Sequence, residues 1–381
     1  MKYVTWIVVI VVLVWAGWAI ANRTPATDTP VAVDTSPITI GFVGPLTGDA
    51  ANIGTNAKSA VEVAVGEVNA AGGVNGRPLN VIYEDGQCTG AIASNAASKL
   101  INSDKVSLIL GGACSGETSA FTAMAEQAKV VVLSYCSSAP AITTAGDYIF
   151  RDYPSDSYQG SFAANYLYTS GKRKVAIVYV NSDWGAGIEK VFADKFKSLG
   201  GSVVAEEGYE QTSRDLRTQL TKAKSANPDV IYFLGYTEAS VPAVKQMKDL
   251  GIKVPVFGGD AWDDSKIWSS VGAAGEGMMY VIPSAKPSDA FKASMMAKVG
   301  NNEIGVCSPT AYDAVKVIAQ VMTKVGTDAT AIKNELYKTS YTGGVSADPI
   351  TFDSNGDLTT ANYVIKVVHN GAAAELVAPA Q

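Results

Sequence analysis

Histidine is nearly missing from this chain of 381 residues: His369, near the end in VIKVVHNG, is the only one. A single imidazole removes the usual basis for most metal sites and most Ser/His or Cys/His catalytic schemes at once, so the sequence predicts no metal, no cofactor and no enzyme. Charge is also scarce, at 17 % of residues, and the 36 acidic and 30 basic side chains form no long run of either sign. Nucleic acid is therefore not an expected partner. Glycines recur through Gly44, Gly48 and Gly54 at a turn between strand and helix, yet no Gly-Lys-Ser/Thr follows, which argues against a phosphate loop. In Gly112-Ala113-Cys114-Ser115-Gly116 the middle residue is cysteine, and with one histidine far away an acyl-transfer elbow is not expected.

What the chain does have is apolar: 47 % of residues are hydrophobic, so it is globular, and its length predicts two domains. The most telling stretch is 105–143, KVSLILGGACSGETSAFTAMAEQAKVVVLSYCSSAPAIT. Short apolar runs at 106–110 and 130–133 each stop at small residues, and 117–129 between them has helical spacing. This is a strand, turn, helix, strand, turn unit whose continuous apolar runs fit parallel strands covered on both faces. In such open sheets ligands collect beyond the carboxyl ends of the strands. A helix beginning at Ser115-Gly116 offers free N–H groups and a positive dipole end there, suited to a carboxylate or other small anion. The expectation is a binding site for a small polar molecule.

Residues 3–22, YVTWIVVIVVLVWAGWAIAN, carry no charge and match a bilayer span of roughly 20 residues. Ala19-Ile20-Ala21 suits cleavage after Ala21, and a long tryptophan-containing core suits an anchor. Both readings of 1–22, signal peptide or N-terminal membrane anchor, stay open, and both place the rest outside the cytoplasm. No cysteine follows the stretch, which disfavours a lipid-modified N-terminus. The four cysteines, Cys88, Cys114, Cys136 and Cys307, are an even number in an exported chain, so disulfides are expected, with three pairings open.

Residues 23–37 read as a Thr-, Pro- and Asp-rich linker. Strands and helices then alternate from 38 to 143, a polar crossing runs from 150 to 156, and a second alternating series runs from 175 to 257. This predicts an α/β fold of two doubly wound, Rossmann-like lobes. Strand ends in the first half present hydroxyls and amides. Those in the second present aromatic and acidic residues: Trp184, Tyr236 and Asp260. A long helix over 309–325, a turn at 353–357 and a strand at 363–368 complete the chain.

The segments IGFVGPLTG, VNAAGGVNGRPLNVIYEDGQC, LILGGACSGETSA, SSAPAIT, FRDYPSDSYQG and VAIVYVNSDWGAG, in this order, resemble the branched-chain amino acid binding proteins of ABC transporters, in the type I periplasmic binding protein superfamily. The resemblance covers roughly 38–370. It implies two lobes joined by a three-strand hinge, 38–153 plus 283–345 and 154–282 plus 346–381, closing on a ligand. It implies a disulfide between Cys88 and Cys114, and more weakly a second between Cys136 and Cys307. Ser115 and Ser138 take the family's carboxylate-binding positions, with Cys114 beside them; the Cys136 carbonyl and the Asp260 carboxylate take those for the ammonium. Trp184 and Tyr236 fall where aromatics close over the ligand. Asp260 is shorter than the usual glutamate, Trp184 is bulkier than the usual tyrosine, and Ile53 replaces an aromatic, so leucine, isoleucine or valine is not to be assumed. The implied function is amino-acid capture for a membrane permease by a monomer; a membrane-anchored sensor or cell-wall enzyme activator is the alternative. Without the resemblance, Ser115, Ser138 and Asp260 read as helix caps, Trp184 and Tyr236 as aromatics at loop ends, and Asp263-Asp264 as a helix start.

Overall fold

The computed structural model describes residues 2–21, 34–300 and 304–376. It divides into two compact units, residues 1–35 and 36–381. The first consists of α1 (Lys2–Ala21), with Trp6, Trp15 and Trp18 well exposed. Among the residues whose side chains are described no helix is long and apolar enough to cross a membrane; for α1 these are 6–15, 17 and 18. Most of the expected linker, 22–33, lies outside the described residues, as do the side chains of Ala19-Ile20-Ala21.

The second unit opens with β1 (Ile38–Gly44), α2 (Ala51–Ala70), β2 (Leu79–Asp85), α3 (Gly90–Asn102), β3 (Leu108–Gly111), α4 (Ser115–Ala128), β4 (Val131–Ser134) and β5 (Ile149–Arg151). These five strands form one parallel sheet, in the order β2-β1-β3-β4-β5. Every residue of β3 and β4 is buried, because helices cover both faces of the sheet.

The chain then repeats the plan with α5 (Asp156–Thr169), β6 (Lys174–Val180), α6 (Asp183–Ser198), β7 (Ser202–Tyr209), α7 (Arg217–Ser225), β8 (Val230–Leu234), α8 (Thr237–Asp249), β9 (Val256–Gly258), α9 (Ser265–Val271) and β10 (Met279–Pro283). The order β7-β6-β8-β9-β10 is that of the first sheet over again. Three helices follow, α10 (Asp289–Val299), α11 (Ser308–Val325) and α12 (Ala329–Leu336), and both α10 and α11 pack on α2 of the first half. β11 (Ser340–Tyr341) pairs with β12 (Ile350–Thr351), and β13 (Tyr363–His369) with β14 (Ala372–Glu375) extends the second sheet antiparallel beyond β10. This is an α/β fold of parallel-strand sheets.

Several stretches differ from the sequence reading. The crossing predicted from Phe150 begins later, since Phe150 and Arg151 are buried in β5. Residues 346–358, expected with the second lobe, pack against elements of the first sheet: the Phe352 ring meets Phe150 edge-on at 5.6 Å, and Asp357 pairs with Arg151. Strand pairing with the second sheet starts at Tyr363.

Candidate functional site

In each sheet the winding direction reverses between the strand that starts it and the next one inward, at β1/β3 and at β6/β8. Ligands of doubly wound sheets bind in the crevice at such points. After β3 the chain turns through Gly112, Ala113 and Cys114 into α4; after β4 it runs through Tyr135 to Ser138. Gly111 makes the first turn possible: its φ is +137°, and a Cβ there would lie 2.2 Å from the Val43 carbonyl oxygen. From the second half, Trp184 stands in the first turn of α6, capped by Ser182, whose hydroxyl accepts from the Gly185 amide at 3.2 Å. Tyr236 is the residue before α8, and Asp260 follows β9.

These ends meet around one narrow cavity of about 30 Å³, lined by Ile53, Ala113, Cys114, Ser115, Cys136, Ser138, Trp184, Tyr236, Asp260, Ala261 and Val306. All eight residues singled out from sequence are among them. Among the described residues no group of three His, Cys, Asp or Glu could hold a metal ion.

From the first half, the Ser115 hydroxyl oxygen accepts from the amides of Ser138 at 3.2 Å and Ala139 at 3.0 Å. A hydroxyl has two lone pairs and one proton. With both lone pairs engaged, what Ser115 keeps is a donor. Beside it the Ser115 and Gly116 amides, which open α4 ahead of the Glu117 amide bonded to the Cys114 carbonyl, add donors and the positive end of the helix. Ser115 is not the cap of α4, because Cys114 takes that place. This end is built to meet negative charge.

From the second half, Asp260 is buried, its Oδ2 accepting from the Tyr153 hydroxyl at 2.6 Å and its Oδ1 from the Ala261 amide at 2.9 Å. Burial pushes its carboxyl above the usual range, against the pull of Tyr153 and Gln159. Asp156 is pushed higher still, by burial and by the charge of Asp260. Its Oδ1 accepts from Gln159 at 3.0 Å, whereas Asp156 Oδ2 and Gln159 Oε1 are buried without a hydrogen-bond partner among the described residues. Helix capping belongs to the next residues: the Asp264 carboxylate accepts from the Lys266 amide, and Asp263 takes the Tyr280 hydroxyl and the Lys366 ammonium, each at 2.6 Å.

The walls are apolar. The rings of Trp184 and Tyr236 stack at 4.9 Å, and Ile53 and Val306 also line the space. Both cysteine pairs close, Cys88 with Cys114 and Cys136 with Cys307, at Cα separations of 5.3 and 5.5 Å. Sequence reading missed Ala113, Ala261 and Val306, and it missed Tyr153, Asp156 and Gln159 behind Asp260. The last three stand in the crossing segment FRDYPSDSYQG, whose polarity in an otherwise apolar chain was the available signal.

Residues 37–372 match the model of a family described as periplasmic binding protein. A leucine-, isoleucine-, valine-, threonine- and alanine-binding protein of Pseudomonas aeruginosa is 29 % identical over 357 residues, covering 90 % of this chain and 92 % of the relative. The crystal structure of a branched-chain amino acid transporter substrate-binding protein from Streptococcus pneumoniae, in complex with isoleucine, is 29 % identical with a TM-score of 0.81, covering 89 % of this chain and 99 % of that one. A solute-binding protein from R. palustris in complex with benzoate shares the fold, with a TM-score of 0.82 at 19 % identity over 89 % of this chain and 95 % of that one. The relatives and fold neighbours are solute-binding proteins, not enzymes, and the chain belongs to the periplasmic binding protein family.

Proposed function

We propose that this chain is the extracytoplasmic solute-binding component of an ABC importer, and that it captures a small α-amino acid between its two lobes. The observation that carries this reading is the pairing of unlike groups on one cavity: a Ser115 hydroxyl with only its proton to give and a buried Asp260 carboxylate both line it. A zwitterion satisfies both, whereas an uncharged guest would leave buried charge and donors unpaired at a cost of several kcal/mol. Ser138 and the amides of α4 would share the carboxylate with Ser115, and the Cys136 carbonyl would share the ammonium with Asp260. Trp184, Tyr236 and Ile53 would enclose the side chain.

The lobes divide where the chain crosses between sheets: after β5, after β10 and between Asp357 and β13. Contacts that span the cleft suit closure around a ligand. Asn52 donates to Asp264 at 2.7 Å, Gln211 to the Cys88 carbonyl at 3.2 Å, and Arg214 pairs with Asp49. Release to a membrane permease would then need these contacts to break. The apolar N-terminal stretch, cut after Ala21 or retained as an anchor, would carry the domain across the membrane.

The test is calorimetry of the folded protein against the common amino acids, short amides and benzoate. Binding of one or more small amino acids, lost in Ser115→Ala and in Asp260→Asn, is the expected result. Benzoate binding that survives Asp260→Asn, with no amino acid bound, would replace the zwitterion by a simple carboxylate. Folded protein that binds none of them would overturn the reading.

A further inference from the structure

Glu117 is the third residue of α4, two positions beyond Ser115, and it is fully buried. Its Oε1 accepts from the Cys88 amide, and its Oε2 from the amides of Ala113 and Cys114, all at 3.0 Å. One carboxyl group thus gathers both arms of the Cys88–Cys114 disulfide and the backbone of two residues that line the cavity. Room for it is made by glycines: a Cβ at Gly86 would come within 2.3 Å of Glu117 Oε1, and one at Gly112 within 2.6 Å of the Glu117 Cβ. The turn that presents Ser115 to the cavity hangs on this side chain.

The titratable groups that face Glu117 are Asp85 at the end of β2, Tyr135 beyond β4 and Tyr236 before α8. Asp85 is committed to the first turn of the chain, accepting from the amides of Leu46, Thr47 and Gln87 and from the Thr47 hydroxyl. Burial pushes both tyrosine hydroxyls up, so they stay neutral. Burial also raises the Glu117 carboxyl to about 7, against the three amides, which favour its charged form. Its ionised and protonated forms are therefore both within reach at neutral pH.

We propose that Glu117 is a positioning residue for the anion-binding turn, and that capture of a carboxylate at Ser115 is coupled to uptake of one proton from solvent by the Glu117 carboxylate. A ligand carboxylate at the start of α4 brings a second negative charge beside the first, and like charges favour protonation of one partner. Linkage is reciprocal: if the ligand draws in a proton, the proton tightens the ligand. Affinity then falls as pH rises through the neutral range. This inference rests on the reading of the cavity as a carboxylate site.

The experiment is calorimetry with the full chain and its tightest-binding amino acid, from pH 6 to 8.5, in buffers of different ionisation enthalpy. The wild type is expected to lose about tenfold in affinity across that range, the equivalent of one unit of coupling, and to take up a fraction of a proton near pH 7. Glu117→Gln keeps one accepting oxygen for the amides of Ala113 and Cys114; its affinity is expected to be flat with pH and its proton uptake zero. Glu117→Ala, which lets go of the turn, is expected to bind more weakly at every pH, checked for folding by circular dichroism. A flat pH profile in the wild type, or proton uptake that persists in Glu117→Gln, overturns the coupling while leaving the cavity reading intact. Absence of amino-acid binding at any pH overturns the cavity reading and the coupling together.

Discussion

Arg151 and Asp357, far apart in sequence, form a two-pronged ion pair: Nε reaches Oδ1 at 2.6 Å and Nη2 reaches Oδ2 at 2.8 Å. The guanidinium is fully buried and also donates to the Ala139 carbonyl at 2.9 Å and the Thr143 hydroxyl at 2.7 Å. The pair holds the end of β5, where the chain leaves the first sheet, to the stretch by which it crosses for the last time. Replacing Asp357 by Asn leaves a buried cation without its counter-charge, which costs about 3–5 kcal/mol. Urea denaturation is expected to show a loss of that size, and a loss below 1 kcal/mol would mean that the pair is decoration.

Asp152, the next residue, has no such partner. It is fully buried, and neither oxygen meets a hydrogen-bond donor among the described residues. Burial first, and the charge of Asp313 second, push its carboxyl well above the ordinary range, so the folded state holds a proton that the unfolded chain gives up. Asp313 itself is raised to about 6, burial outweighing its bonds to Val345 and Ser346. For a raised acid the folded state binds more protons, and stability falls as pH climbs above the unfolded carboxyl's pKa of 3.8. Asp152→Asn is expected to be near neutral at pH 4 and to stabilise the protein by about 1–3 kcal/mol at pH 8. Denaturant midpoints at the two pH values check the sign; destabilisation at pH 8 would contradict it.

The strand ends were legible because two signals agree there. In LILGGACSG an unbroken apolar run says buried parallel strand, and small residues right after it say turn, so the position of Ser115 followed without any contact being known. Helix starts were less legible. α8 begins at Thr237, and Pro242 inside it broke the pattern, leaving only the part from Lys245 readable. α10, DAFKASMMAKV, was not seen at all, since it buries only Phe291 and Met295 and carries little amphipathic contrast. β14 pairs with β13 only at the sheet edge and is made of AAAE, a sequence with no strand signal of its own. Tyr153 as the hydroxyl held by Asp260 was out of reach, because that contact joins residues 107 positions apart and depends on how the two sheets face each other.

On the proposed reading, Trp184 and Tyr236 set how large a side chain the cavity admits. Their rings stack at 4.9 Å, and both are buried in the cavity wall, which Ile53 also lines. Trp184→Tyr removes part of that wall while keeping an aromatic face. A ligand longer by one methylene should then gain about 1–3 kcal/mol relative to the tightest wild-type ligand. Competition calorimetry with paired amino acids that differ by one methylene reads the change, and an unaltered ratio would remove Trp184 from the side-chain wall.

The two disulfides should separate stability from binding. Cys88–Cys114 closes a loop with a sequence separation of 26, and Cys136–Cys307 one of 171. In the chain-entropy account both restrict the unfolded state, by roughly 3–5 kcal/mol, and the longer loop by more. Their places in the cavity wall differ, however. Cys114 immediately precedes Ser115, and its amide is one of those gathered by Glu117, so opening this bridge also loosens the carboxylate end. Cys307 stands before α11 and reaches the cavity only through its partner and its neighbour Val306. Replacing Cys88 and Cys114 together by Ala is expected to lower both the melting temperature and the affinity for a carboxylate ligand. Replacing Cys136 and Cys307 together is expected to lower the melting temperature at least as much, while changing the ranking of ligand side chains more than the affinity for their common carboxylate. Scanning calorimetry and binding isotherms on the two double variants decide it; equal losses of carboxylate affinity would show that neither bridge has a privileged link to Ser115.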